Sequence, residues 1–224
     1  MLYSKTKIKT HFSRLQSPYA SRANWFWKTM RNKEKALFRK LAQDLNKETC
    51  LDLGAGSCEY SKILLQMGSK KSVCVDFSSS LLSEETDSRI EKVIADVETY
   101  ETKVKYDLIL CLGILEYLEK PENFLLRVSG FLKPEGKMIV LLPLSGFWSL
   151  GYGFLYLMRG ISIHLITLKK VNHCLTQKGF RLNKTATDGL FSGFSVYSLP
   201  ETKGIQKNNN PTENFKLNPH KIES

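Results

Sequence analysis

The chain reads as a single α/β domain built on a mostly parallel sheet, with a basic arm before it and a polar tail after it. Three observations lead there. Five short apolar runs, at residues 49–53, 72–75, 93–95, 106–112 and 138–142, are separated by stretches of crossover length, and strands alternating with helical segments are the pattern of a parallel sheet covered on both faces. The first run passes into Gly54-Ala55-Gly56 and then a helical stretch, a strand-turn-helix that lets backbone approach a ligand. A length of 224 residues allows one substantial core with appendages.

Taken in order, residues 1–47 form the arm. They hold twelve Lys and Arg against Glu34 and Asp44, whereas the other 177 residues are nearly balanced at 21 basic and 20 acidic groups, so almost all of the net charge of +11 sits here. Leu37, Leu41 and Leu45 recur at helical spacing, and Tyr19, Trp25, Phe26, Trp27 and Phe38 lie in the same arm. A basic, aromatic, amphipathic segment suits an anionic membrane surface. It also suits RNA, and it suits a helix that covers the sheet with its apolar stripe and leaves its charges in water.

The first strand ends at Asp52-Leu53, and a helix over 60–67 follows the glycine turn and stops at Gly68. The second strand ends in Asp76, and the polar stretch 78–90 supplies a short crossover with Leu81 and Leu82 on one face. A third strand runs up to Asp96, leaving room for only a turn or short helix before the fourth, which ends at Cys111-Leu112-Gly113. A helix over 121–132 carries Phe124, Leu125, Val128, Phe131 and Leu132 on one face, with Pro121 at its start and Lys133-Pro134-Glu135-Gly136 turning into the fifth strand.

From Met138 to Met158 there are 21 residues without a charge, long enough to test as a membrane span. The first half belongs to the fifth strand, and Pro143, Gly146, Gly151 and Gly153 interrupt the rest. Residues 144–166 are therefore read as an aromatic-rich lid over a substrate cavity. A helix over 167–178 and strands over 180–186 and 191–199 bring the sheet to seven strands, closing a domain that spans 48–200. Residues 201–224, with Asn208-Asn209-Asn210-Pro211, read as a disordered tail.

The five cysteines are odd in number and mostly fall in predicted strands or turns of one core, which points to reduced thiols in a cytoplasmic protein. No Cys/His pairing has zinc spacing, and no metal is expected. The first ten residues lack an apolar run of the kind a secretory signal needs.

The glycine turn is selective about its ligand. A dinucleotide fingerprint needs a third glycine where Glu59 stands, and a P-loop needs Gly-Lys-Ser/Thr at the helix start, which is absent. Asp76, 24 residues after Asp52, ends the second strand as a carboxylate able to accept from both hydroxyls of a ribose.

The run Leu51-Asp52-Leu53-Gly54-Ala55-Gly56 resembles the first motif of the class I S-adenosylmethionine-dependent methyltransferases, and the blocks ending at Asp76, Asp96, Gly113 and Pro143 follow in that family's order. The resemblance covers about residues 49 to 143 and, more weakly, runs to 199. It implies a Rossmann-like sheet of seven strands, mostly parallel, with helices on both faces and the last strand antiparallel. It implies S-adenosylmethionine as cofactor, with Asp52, Gly54, Ala55 and Gly56 at its methionine end. Asp76 would hold the ribose, Phe77 would flank the adenine, and Asp96, next to Val97, would meet the adenine amino group. Cys111, Leu112 and Gly113 would line the cofactor's other side, and Tyr19 would help close the pocket. Two departures stand out: Cys58 occupies the place of a frequent third glycine, and Glu135 sits in a turn that usually reads Lys-Pro-Gly-Gly.

In some quinone-pathway relatives carboxylates and a histidine after the fourth strand are implicated in metal binding. Here only Glu116 remains of such a set, followed by Tyr117, and Glu116 either orients a substrate hydroxyl or caps the short helix. His164, just past the lid, is a candidate to take a proton from an acceptor hydroxyl. The expected function is methyl transfer to a small, lipophilic acceptor, with O-methylation first in line, by a cytoplasmic protein in peripheral contact with an anionic membrane. The alternatives are RNA or protein methylation guided by the arm, disfavoured by the lack of an Asn/Asp-Pro-Pro-Tyr/Phe motif, and a non-catalytic membrane-associated binding protein on the same fold.

Overall fold

A computed structural model describes residues 25–144, 166–188 and 192–199, with the side chains of 25–27 excepted. Tyr19, His164, most of the lid and the tail lie outside the described residues. The elements are α1 (Trp25–Ala42), β1 (Thr49–Leu53), α2 (Glu59–Gln66), β2 (Lys71–Asp76), α3 (Ser79–Ser83), β3 (Ile90–Ile94), β4 (Tyr106–Leu112), a 3-10 turn (Leu115–Tyr117), α4 (Pro121–Ser129), β5 (Leu132–Pro143), α5 (Leu168–Gln177), β6 (Arg181–Thr187) and β7 (Ser192–Ser198).

They form a seven-stranded sheet in the order β3-β2-β1-β4-β5-β7-β6. The first five strands are mutually parallel, and β7 lies antiparallel between β5 and β6. This is the Rossmann-like arrangement with an antiparallel last strand.

The two-residue side-chain period of the central strand separates the core into two layers. Ile109 and Cys111 of β4 join Leu51, Val75 and Val140 on the face covered by α4 and α5, through Phe124, Leu125, Val171 and Leu175. Leu108, Leu110 and Leu112 join Cys50, Ile139 and Phe194 on the opposite face, covered by Phe38 and Leu41 of α1 and by Ile63 and Leu64 of α2. The apolar stripe of the basic arm thus packs on the sheet. Burying so many aliphatic side chains, at about 1.5–3 kcal/mol each, is the main force holding both layers.

One boundary differs from the sequence reading. The helix expected to reach residue 132 ends at Ser129, and Phe131-Leu132 instead lead into β5, where Leu132 pairs with Tyr106. The ladder then jumps to Leu108 opposite Lys137, looping out the turn residues between them. Gly136 is needed there because a Cβ would lie 2.9 Å from the Tyr106 carbonyl oxygen, whereas Glu135 is exposed and meets no such demand.

Asp107 ties down this lower end of the sheet. It accepts from the Thr49 backbone N–H at 3.0 Å, the Thr49 hydroxyl at 2.7 Å, Asn46 Nδ2 at 3.0 Å and Lys133 Nζ at 2.8 Å.

Candidate active site

The ligand-facing edge is where β1, β2 and β4 end. After Leu53 the chain turns through Gly54 at φ 77° and Gly56 at φ 53°, a left-handed region that glycine enters without steric cost. Gly54 and Ala55 donate their N–H groups to the Val75 carbonyl at 2.8 and 3.2 Å, folding the loop onto β2. Cys58 also takes a positive φ, 58°, as the residue before α2. The frequent glycine of the resembling family at this place has a conformational reason, and the cysteine here adopts the same backbone at a cost of about 1–2 kcal/mol.

Asp76 organises the loop. Its Oδ2 accepts from the Gly56 N–H at 2.9 Å and its Oδ1 from the Ser78 N–H at 2.8 Å. Burial raises its pKa, opposed by these backbone hydrogen bonds. Each oxygen keeps a second lone-pair direction, so the carboxylate can still accept from a diol.

The glycines differ in their surroundings. A Cβ on Gly54 would lie 2.4 Å from Ile114 Cδ1, so this glycine packs under the turn after β4. A Cβ on Gly56 or on Gly113, itself at φ 64°, would meet nothing within 4 Å. Gly56 and Gly113 therefore bound an open cradle at the edge, with backbone free to approach a ligand on both sides of Gly54.

Asp52 looks inward. It is 3% exposed and accepts from Ser61 Oγ at 2.9 Å; Ser61 in turn shares a 2.8 Å hydrogen bond with Ser72 and accepts from Cys74 Sγ at 3.1 Å. Burial first, with Asp76 adding, raises its pKa to about 7 against the Ser61 hydrogen bond. Its carboxylate links α2 to β1 and β2 from beneath the loop, so any effect on a cofactor runs through loop geometry and charge.

Past β3, Asp96 Oδ1 accepts from the Glu98 N–H at 3.0 Å, and the Asp96 carbonyl accepts from Thr99 and Tyr100. Phe77 is half-buried and Val97 is buried in the core. The sequence reading missed Arg127. From α4 its Nη2 donates to the Val97 carbonyl at 2.6 Å and its Nη1 to Glu101 Oε1 at 2.9 Å, strapping down the segment that carries Asp96. An arginine on an amphipathic helix gives no sequence signal for such a long-range bond.

On the β4 side Cys111 and Leu112 are buried and Gly113 is exposed. Glu116, in the 3-10 turn, is 4% exposed, and its Oε2 has no hydrogen-bond partner among the described residues. Burial raises its pKa to about 7, its own backbone N–H lowers it, and Glu34 adds to the rise. Glu34 of α1 accepts from Arg31 Nη1 at 2.6 Å and from the Tyr60 hydroxyl at the start of α2. The middle of α1 is thus held against the start of α2, next to the glycine loop. Among the described residues no three His, Cys, Asp or Glu side chains cluster as metal ligands.

Residues 51–138 match the family model described as a methyltransferase domain. The chain carries a class I, S-adenosylmethionine-dependent methyltransferase domain. A ubiquinone biosynthesis O-methyltransferase of Rickettsia conorii is 24% identical over 110 residues, 47% of this chain and 38% of the relative. An (S)-coclaurine N-methyltransferase of Papaver somniferum is 22% identical over 117 residues, 46% of this chain and 32% of the relative. The matched stretch therefore spans well under half the length of these curated relatives.

The methyltransferase fold extends further than the sequence match. The structure of a magnesium protoporphyrin IX methyltransferase from Synechocystis superposes with a TM-score of 0.67 at 18% identity, covering 86% of this chain and 98% of that one. An N-methyltransferase from Bradyrhizobium japonicum, in complex with S-adenosyl-L-homocysteine, gives 0.65 at 15% identity over 88% and 99%. The cofactor of this domain is S-adenosylmethionine, and the open cradle at Gly56 and Gly113 beside the Asp76 carboxylate fits a ribosyl ligand with an extended amino-acid tail. Among the described residues no helix is long and apolar enough to cross a membrane.

Proposed function

We propose that the protein transfers a methyl group from S-adenosylmethionine to a hydroxyl of a small lipophilic acceptor, in the cytoplasm and against an anionic membrane surface. The observation that carries this reading is the Asp76 carboxylate beside the open Gly56–Gly113 cradle, at the edge where the parallel strands end. The bound cofactor supplies a methyl group already activated on a sulfonium, so the protein's task is to hold the acceptor in line and keep water out.

Asp76 accepts from the ribose hydroxyls, and the exposed backbone of Gly113 and Gly56 lies along the tail. Phe77 and the strapped Asp96 segment receive the adenine, with Tyr19 closing over the cofactor. His164, from the segment beyond the lid, is the candidate to take the acceptor's proton, and Glu116 the candidate to orient its hydroxyl. An aromatic lid over 144–166 and an arm with twelve basic residues against two acidic ones together suit a substrate drawn from a membrane.

The test is calorimetric titration of the full chain with S-adenosylmethionine and S-adenosylhomocysteine, with and without vesicles containing phosphatidylglycerol. Micromolar binding, a loss of about 2–4 kcal/mol in Asp76→Ala, and vesicle association are expected. Unchanged affinity in Asp76→Ala would overturn the cofactor placement. Salt-dependent RNA binding without vesicle binding would replace the membrane by RNA.

A further inference from the structure

We propose that Glu116 sets the charge preference of the cofactor site: its buried carboxylate favours the sulfonium-bearing methyl donor over the neutral thioether left after transfer. This rests on the cofactor placement proposed above.

The placement of Glu116 carries the argument. The turn that holds it begins at Gly113, and Ile114 is seated so closely on Gly54 that a single added methyl would strike it at 2.4 Å. Asp76 lies on the other side of β1, in the strand next to it. A cofactor held by its ribose at Asp76 and running over the glycine loop therefore brings its methionine half, and the sulfonium, to the β4 side where Glu116 sits. There the side chain is 4% exposed and its Oε2 has no hydrogen-bond partner among the described residues.

A buried carboxylate without full satisfaction lacks counter-charge, and a nearby cation relieves that deficit. A sulfonium donates no hydrogen bond, so it acts through its field, and in a low-dielectric site that field reaches beyond contact distance. Contact is not required of Glu116, whose Oε2 is closed off from solvent. The thioether product carries no charge at sulfur, whereas the amino-acid and ribosyl parts of the two cofactors are the same. Only the sulfur distinguishes them electrostatically.

The ionisation of Glu116 makes the preference depend on pH. Its pKa is pushed up to about 7 by burial, with Glu34 contributing. The neighbouring charge is Glu34 of α1, which is itself bonded to Arg31 of the same helix and to Tyr60 of α2, and Tyr117 follows Glu116 in the turn. Beneath the loop lie Asp76 and Asp52, and Asp52 titrates in the same range. Asp52→Asn is therefore the control.

Dissociation constants of S-adenosylmethionine and S-adenosylhomocysteine are measured by calorimetry on the full chain at pH 6, 7 and 8, for wild type, Asp52→Asn and Glu116→Gln. The preference for the sulfonium form should rise about tenfold from pH 6 to 8 in wild type, and it should still rise with pH in Asp52→Asn whatever that variant's absolute affinities. In Glu116→Gln it should stay flat, with S-adenosylmethionine bound about tenfold more weakly at pH 8 and S-adenosylhomocysteine unchanged within about twofold. A pH-independent preference in wild type, or equal losses of both ligands in Glu116→Gln, overturns the proposal. If Glu116→Gln fails to show a cooperative melt, the same series on Glu116→Met decides, since it also removes the charge and keeps the side-chain length. Asp76→Ala separates the two levels: intact binding there removes the cofactor placement, whereas sensitive binding with a flat pH series removes only the role of Glu116.

Discussion

The two glycines of the turn after β1 should separate folding from binding. At Gly54, alanine would hold φ 77° at a cost of about 1–2 kcal/mol and would meet Ile114 Cδ1 at 2.4 Å. Relief requires Ile114 to leave its position against the core or the turn after β4 to lift, a further cost of about 1–3 kcal/mol. The total, about 2–5 kcal/mol, lowers Tm by roughly 5–15 °C in a domain of this size. At Gly56 the backbone strain is about 1 kcal/mol and the new methyl meets nothing within 4 Å, so the melt should fall by only about 2–4 °C. That methyl, however, stands in the cradle assigned to the cofactor, and affinity for S-adenosylhomocysteine should drop more than about tenfold, or about 1.4 kcal/mol. Thermal melts without ligand and calorimetry with it provide both readings. If Gly56→Ala binds normally, or if both variants melt alike, the division of roles between the glycines is wrong.

Asp107→Ala removes the acceptor of four hydrogen bonds that join the starts of β1, β4 and β5, and should destabilise by about 2–4 kcal/mol in urea melts while leaving cofactor affinity at the other end of the sheet intact. Stability should also depend on pH through the carboxyls whose pKa values burial raises. Asp52 and Glu116 near 7 hold protons in the folded state that an unfolded chain has released above about pH 4. Stability should therefore fall as pH rises from about 4 to 7 and level off above, by up to about 4 kcal/mol for Asp52, and Asp52→Asn should flatten that slope in melts followed across pH. An unchanged slope in the variant would mean that Asp52 is ionised in its Ser61 network. Arg127→Ala should loosen the segment from Val97 to Glu101, raising amide exchange there and weakening cofactor binding without a comparable loss of global stability.

The strands were legible in the sequence wherever apolar residues run unbroken, as in β1, β2 and β4, because strands buried on both faces need no alternation. The helix α5 was legible too, since Thr167 caps it by accepting from the Lys170 N–H. The start of β5 was not: Phe131 and Leu132 continue the apolar period of α4, and only the pairing of Leu132 with Tyr106 makes them part of the sheet. In the site, strand parity alone could have turned Asp52 inward, because it shares a sheet face with Cys50 beneath α2 while Leu51 and Leu53 face the other way. Asp76, the final residue of β2, is freed from that constraint and reaches the loop amides. The meeting of Glu34 with Tyr60, and of Arg127 with Val97, spans 26 and 30 residues of chain, which no local pattern encodes.

The order of the last two strands bears on how the chain completes itself. β6 is made before β7 yet borders only β7, and β7 pairs with β5 along seven residues from Lys137 to Pro143. Until residue 198 has emerged, β5 presents that whole row of backbone donors and acceptors to its surroundings, and β6 has no neighbour to join. A fragment stopped short of Ser192 would thus keep the cofactor edge while displaying an unpaired apolar strand, a template for pairing between molecules. The final hairpin serves as the closure that makes the earlier half safe to expose.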